Sequence, residues 1–439
     1  MTELYYPLNS LREGNWFKLI CGASFQDLPA VRNLTLAYAV AGADCIDVAA
    51  DPAVIAAAKD ALSVAEELGE EAQTRGFRFS HRPLLMVSLN DGEDPHFRKA
   101  EFNPSLCPAD CPRPCQTICP AQAIVFPDPG VLPSEDRGRD FCAGVSFKHK
   151  DSHFQIGNAQ ISPAKPNPES LDGFAGVLDR RCYGCGRCLP VCPSQLIYTR
   201  SYVSAPEAIA QIVLQDGVDA LEIHTQIGHF TDFQRLWKAI APWIDKLKLL
   251  AISCPDGEGL IDYLRSLYDA IAPLPCPLVW QTDGRPMSGD IGAGTTRAAV
   301  KLSQKVLAAG LPGYVQLAGG TNDSTVRKLD AAGLLNNLAR KNRHLQSEIP
   351  PSKSYVAGVA YGSYARVLLL PILEELEQGN GEAIDPNLTV LKSPSLKRLE
   401  DVPTLLWQAV ASAHALVKQL KPSSENLLQA IPNFRPTVE

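Results

Sequence analysis

The sequence predicts an α/β protein, an eight-stranded βα barrel of the TIM type interrupted once by a small inserted cysteine-rich domain. Three observations predict it. Eight short apolar or β-branched runs alternate with longer segments of helical period, the pattern of βαβ units around a parallel sheet. Eight of the 13 cysteines fall in two short runs between the third and fourth strands. Setting aside residues 93–200 and 385–439 of the 439 leaves close to the roughly 250 residues typical of an eight-fold barrel. An open doubly wound sheet is the competing architecture.

The expected strands are Phe17–Cys21, Cys45–Ala49, Leu84–Leu89, Asp219–His224, Leu249–Ser253, Leu278–Thr282, Tyr314–Ala318 and Tyr355–Ala360. Expected helices include Leu28–Ala41, Ala205–Gln215, Asp232–Lys246, Gly259–Ala272, Thr295–Ala309 and Ser324–Leu334. The expected division is a first barrel part over 1–92, the insert over 93–200, the second barrel part over 201–384 and a tail over 385–439. The tail carries one amphipathic helix, Val402–Leu420, expected to pack on the barrel.

Composition narrows the function. Forty-eight acidic against 41 basic residues, a net charge of -7, argue against nucleic acid or an anionic membrane as partner. No run approaches 18 uncharged apolar residues, so no membrane span is expected. The first residues lack the charged-then-apolar pattern of a secretory signal, so the expected compartment is the reducing cytoplasm.

The second cysteine run, RCYGCGRCLPVCP, places Cys182, Cys185, Cys188 and Cys192 before Pro193. Its C-x2-C-x2-C-x3-C-P spacing is that of bacterial ferredoxins, where three thiolates on one tight loop reach three corners of a cubane cluster. Zinc also takes C-x2-C pairs, but usually as two separated pairs. The first run has Cys107, Cys111, Cys115 and Cys119, with wider gaps and the same Cys-Pro ending. Two halves of this kind predict two clusters, each fourth cysteine serving the other half. Cys107, Cys111, Cys115 and Cys192 then hold one cluster and Cys182, Cys185, Cys188 and Cys119 the other, making the insert a bacterial-ferredoxin-like two-cluster iron–sulfur domain. The wider gaps leave the first cluster open between 4Fe-4S and 3Fe-4S; one cluster with a zinc site is the competing reading. The Pro- and Gly-rich stretch 121–181 reads as a hairpin extension or long loop, with Cys142 as a spare ligand, redox thiol or buried apolar residue.

Barrel active sites sit at the C-terminal strand ends, the face from which the insert leaves. Three glycine-rich turns lie there, around Gly289, Gly292, Gly294 and Thr295–Thr296, around Gly319, Gly320, Thr321 and Asn322, and around Gly362, Ser363 and Arg366. Gly319, Gly320, Gly362 and Ser363 form a candidate phosphate site that suits FMN; the alternative is that the glycines only make turns and caps. Glu222, His224, Thr225, His229, Lys18 and Asp283 are further candidates on the same rim, and Cys254 is a candidate redox thiol. Cys21, Cys45 and Cys276 read as core or loop residues. No catalytic residue is identified.

The cysteine runs together with GRPMSGDIGAGTTRAA, YVQLAGGTND and VAGVAYGSYAR resemble the LdpA, or light-dependent period, family of cyanobacteria over about residues 10–375. The resemblance implies an iron–sulfur redox-sensing or electron-transfer protein that conveys light-dependent redox state to the circadian clock. It also implies a cytoplasmic setting and association with clock input proteins, the input histidine kinase and the Kai proteins among them. A flavin-dependent barrel oxidoreductase, its clusters feeding an FMN-like cofactor, is the alternative.

Overall fold

The computed structural model describes residues 6–77, 79–92, 97–119, 121–126, 175–201, 217–285, 292, 294–336, 355–378 and 398–421. Its strands are β1 (Trp16–Ile20), β2 (Cys45–Ala49), β3 (Leu84–Asn90), β4 (Arg98–Glu101), β5 (Ile124–Val125), β6 (Gly176–Val177), β7 (Tyr198–Ser201), β8 (Ala220–His224), β9 (Leu249–Pro255), β10 (Leu278–Asp283), β11 (Tyr314–Ala318) and β12 (Gly358–Tyr361). Eight of them close a parallel barrel in the order β1-β12-β11-β10-β9-β8-β3-β2. The expected α/β barrel is therefore the fold, and the open sheet is excluded.

Twelve helices are described: α1 (Tyr6–Glu13), α2 (Leu28–Val40), α3 (Pro52–Glu67), α4 (Gly69–Thr74), α5 (Pro114–Ile118), α6 (Cys188–Val191), α7 (Phe230–Ile240), α8 (Leu260–Ile271), α9 (Thr296–Ala308), α10 (Thr325–Ala331), α11 (Ser363–Gln378) and α12 (Pro403–Val417). Asp27 and Asp51 cap α2 and α3, each carboxylate accepting backbone N–H bonds from the first turn. The helix expected over 232–246 stops at Ile240 and continues as a 3-10 turn, Ala241–Lys246. Pro242 is the cause, since it lacks an N–H and its ring crowds the preceding turn. The helix expected over 205–215 lies outside the described residues. The tail helix packs as expected, burying Leu405, Leu406, Ala409 and Val410 in the main core.

The barrel interior is layered. At the N-terminal end it is apolar, with Trp16, Leu84, Met86, Ala220, Leu249 and Val279 packed over Leu8 and Leu11 of α1. Above lies a polar layer of Lys18, Asp47, Ser88, Glu222, Gln281 and Gln316, all almost wholly buried. The period-2 alternation of a strand puts these positions on the inner face.

Between β3 and β8 the chain leaves the barrel. There β4 pairs antiparallel with β7, and β5 with β6. The ends of the 121–181 stretch thus meet as a short hairpin, while 127–174, Cys142 included, falls outside the described residues. This segment is tied to the barrel by polar contacts. The Lys99 ammonium donates to Gln26 Oε1 at 3.0 Å, Arg181 pairs with Asp27 at 3.3 Å, and Gln122 donates to Glu374 at 2.6 Å.

Candidate metal centre and barrel mouth

The two cysteine runs build the same local structure twice. In each, a one-turn helix (α5 or α6) ends at the fourth cysteine, with Cys119 and Cys192 as its C-caps. Three residues on, Gln122 and Gln195 take left-handed backbone angles, φ 48° and 51°. The next backbone N–H then turns back onto the cysteine: Ala123 N donates to Cys119 Sγ at 3.2 Å and Leu196 N to Cys192 Sγ at 3.4 Å. A third N–H, from Ala100 of β4, reaches Cys182 Sγ at 3.3 Å. Such donors stabilise negative charge on sulfur. Gly184 and Gly186, at φ 71° and 72°, let the loop between Cys182 and Cys188 wrap.

The thiols group across the two halves. A cavity of about 400 Å³ is lined by Cys182, Cys185 and Cys188 of the second run and Cys119 of the first, among apolar residues such as Ala123, Ile124 and Leu189. Burial, with Cys185, Cys182 and Cys119 close by, pushes the Cys188 thiol up to about 12. Cys107 lies in the electrostatic reach of Cys111 and Cys192, and Cys115 in that of Cys192 and Cys107. Among the described residues, no three His, Cys, Asp or Glu side chains converge as a single bound ion requires. Zinc would draw its sulfurs to about 2.3 Å from one point. Four thiols lining one cavity, with N–H donors on the sulfurs of Cys119 and Cys182, suit a larger polynuclear group instead.

At the C-terminal end of the barrel lies a second cavity, of about 630 Å³. Gly319, Gly320, Gly362 and Ser363 all line it, as do His224, Glu222 and Asp283. Lys18 lies beneath. Its ammonium pairs with Glu222, with Asp47 at 3.0 Å and with Gln281 Oε1 at 3.0 Å, using all three protons. Gln281 Nε2 donates to Glu222 Oε1 at 2.6 Å, His224 Nε2 meets the same oxygen at 3.0 Å, and Ser88 donates to Asp47 at 2.9 Å. Gln316 and Trp16 extend the chain of bonds downward.

The charges in this network are strongly coupled. Burial and the neighbouring Glu222 raise the Asp47 carboxyl to about 6, against the pull of Lys18. Lys18 and His224 outweigh burial at Glu222 and hold it down, at about 2. Lys18 itself is raised, because Asp47 and Glu222 together outweigh its desolvation.

Other sequence candidates fall elsewhere. Thr225 and His229 lie outside the cavity lining; Thr225 bonds the Tyr263 hydroxyl at 2.6 Å, and His229 meets Asp91 at 3.2 Å. Cys21, Cys45 and Cys254 are buried and Cys276 half-buried. Gly289 lies outside the described residues. Thr295 and Thr296 latch the turn after β11 by donating to Gly320 O at 2.7 and 3.1 Å. Gly320 is needed by that latch, since at φ 84° an added Cβ would lie 2.9 Å from Thr295 O. Two residues that the sequence reading missed are central. Asp47 and Gln281 are polar positions in the inward phase of apolar strands, the same signal that marks Lys18 and Glu222. Tyr183, between the first two cysteines of its run, lines both cavities.

Similarity to known proteins follows the same division. Residues 107–145 and 159–203 match the LdpA Fe-S cluster-binding domain. Residues 212–419 match the light dependent period A C-terminal domain. A protein of Synechococcus elongatus named Light dependent period A is 41% identical over 430 residues, 98% of this chain and 97% of that protein. With both domains matched in order, and a relative 41% identical over nearly the whole length of both chains, the chain belongs to the light dependent period A family.

Proposed function

We propose that this chain is a two-cluster iron–sulfur redox protein that carries light-dependent redox state to the circadian clock. The observation that carries the reading is the cavity that Cys182, Cys185 and Cys188 share with Cys119 of the other run. Cross-ligation of this kind is how two-cluster ferredoxins join their halves, and it supports a ferredoxin-like insert. Cys107, Cys111, Cys115 and Cys192 hold the second, outer cluster, of the 4Fe-4S or 3Fe-4S type. When bound, each cluster supplies a reversible one-electron couple. The protein sets its potential through the N–H donors on Cys119, Cys182 and Cys192 and through the apolar walls.

Redox state reaches partners through the same contacts that seat the cysteine segment on the barrel. A change in cluster charge acts on Arg181 of the segment, which pairs with Asp27 of the barrel, and on Arg366 of the barrel, which lies over Tyr183 of the segment. Clock input proteins, the input histidine kinase and the Kai proteins, are the proposed partners, and the cytoplasm the proposed setting. No helix among the described residues is long and apolar enough to cross a membrane.

Anaerobic EPR-monitored redox titration of the full chain and of Cys119→Ser and Cys192→Ser tests this. Two signals are expected, Cys119→Ser perturbing the one that Cys185→Ser perturbs, and Cys192→Ser the other. Cys119→Ser perturbing instead the signal altered by Cys115→Ser would overturn the cross-ligation. Potentials outside the physiological range would overturn sensing.

A further inference from the structure

We propose that the barrel mouth binds a mononucleotide, its phosphate at the start of α11 and its N–H- and hydroxyl-bearing part on the acidic floor. Flavin mononucleotide and adenosine monophosphate are members of this class. The site is distinct from the cysteine-lined cavity, although Tyr183 lines both.

The cavity is open to solvent and is lined by both polar side chains and backbone turns, as small-molecule sites are. The floor asks for donors. Asp47 and Glu222 line it, with the single buried ammonium of Lys18 between the two carboxylates. A polyol or a ring N–H satisfies such acceptors, whereas a second anion there is repelled.

The rim asks for an anion. Arg366, 7% exposed, lines the cavity, and among the described residues no carboxylate pairs with it. Its Nη1 is held by Ile20 O and Cys21 O at 2.8 and 2.9 Å, and Nη2 by Ser363 Oγ at 2.9 Å. Its buried Nε has no partner. An unneutralised guanidinium in such a place favours a phosphate. Beside it, the 16-residue helix α11 begins at Ser363, where backbone N–H groups and the helix dipole add to the attraction.

Gly362 separates this site from a mere turn. Unlike Gly320, it has no positive φ, and an added Cβ would meet Arg366 Nη1 at 3.7 Å and Ile20 Cβ at 3.8 Å, ordinary contacts. Nothing in the packing demands glycine there. A side chain would stand between two walls of the cavity, so its absence keeps the mouth open.

The test is titration of intact, anaerobically purified protein with flavin mononucleotide, adenosine monophosphate and their phosphate-free counterparts riboflavin and adenosine, read by calorimetry. At least one mononucleotide is expected to bind once per chain, at least tenfold tighter than its counterpart. Gly362→Val is expected to weaken it at least tenfold and Ser363→Ala severalfold, both with unchanged iron content and circular dichroism. Failure of both mononucleotides to bind, equal binding without the phosphate, or undiminished binding by folded Gly362→Val would each overturn the proposal. Iron content read on the same samples keeps the two ideas apart: no nucleotide at full iron rejects the mouth site alone, and nucleotide at low iron rejects the clusters alone.

Discussion

Lys18 has no route to water and three partners, so its charge is held wholly by the barrel. Removing one member of a buried ion network leaves the others uncompensated, which costs about 3–5 kcal/mol. Lys18→Met should therefore lower unfolding stability by about that amount, measured by urea denaturation; a change under about 1 kcal/mol would show that Asp47 and Glu222 are solvated or neutral. The pH dependence has two opposing parts. Asp47, raised from 3.8 to about 6, contributes stability below its unfolded value that is lost as pH rises through about 6. Glu222, lowered from 4.5 to about 2, contributes stability above its unfolded value that is lost as pH falls toward about 2. Asp47→Asn should thus gain on the parent between pH 5 and pH 7.5 in paired urea titrations; a gap that stays level would contradict the raised Asp47. At this scale the sequence was half legible. A lysine and a glutamate inside apolar strands announce themselves, but Gln281 and Asp47 become visible only once the register puts them beside Lys18.

Elements carried their own signals to different depths. The cysteine turns are readable because ligand spacing is a local constraint, written within a dozen residues. The grouping of Cys119 with Cys182, Cys185 and Cys188 is not local; spacing predicts it only through the two-cluster rule, and the fold brings the runs together. The break after Ile240 follows from Pro242, a residue whose effect is plain in the sequence once its position in the helix is counted. Burial differs between the two cysteine groups. Cys182 and Cys188 are buried in one, with Cys119 and Cys185 half-buried. In the other only Cys115 is buried, Cys107, Cys111 and Cys192 are partly exposed, and Leu106 beside Cys107 is 63% exposed. Exposure admits oxidant to thiolate and metal alike. Controlled exposure to air, followed by EPR, should therefore remove the signal of the Cys107 group first; loss of the Cys182 group first would contradict this order. The tail helix is a structural element of the barrel, with Leu406 2% exposed. Leu406→Ala should cost about 2–5 kcal/mol by urea denaturation, and a negligible cost would mean α12 is loosely docked.

For the whole molecule, the alternation of strands and helices was enough to predict the closed barrel, because each βα unit buries its apolar face only against the next. The position of the insert after the third strand already put the cysteine segment on the barrel-mouth face; what the sequence did not disclose is the contact there, with Tyr183 under the Arg366 guanidinium at 3.9 Å. That contact depends on residues about 180 positions apart, a separation that no local pattern encodes. It gives the molecule its organisation: an iron–sulfur-binding segment seated beside a polar cavity. The proposed redox role rests on the two groups of thiols holding iron, and the direct measurement is iron and acid-labile sulfide per chain in protein purified without oxygen. About eight irons, or seven if the outer cluster is the three-iron form, with eight sulfides, is the predicted result. About four irons, or zinc in their place, would contradict it.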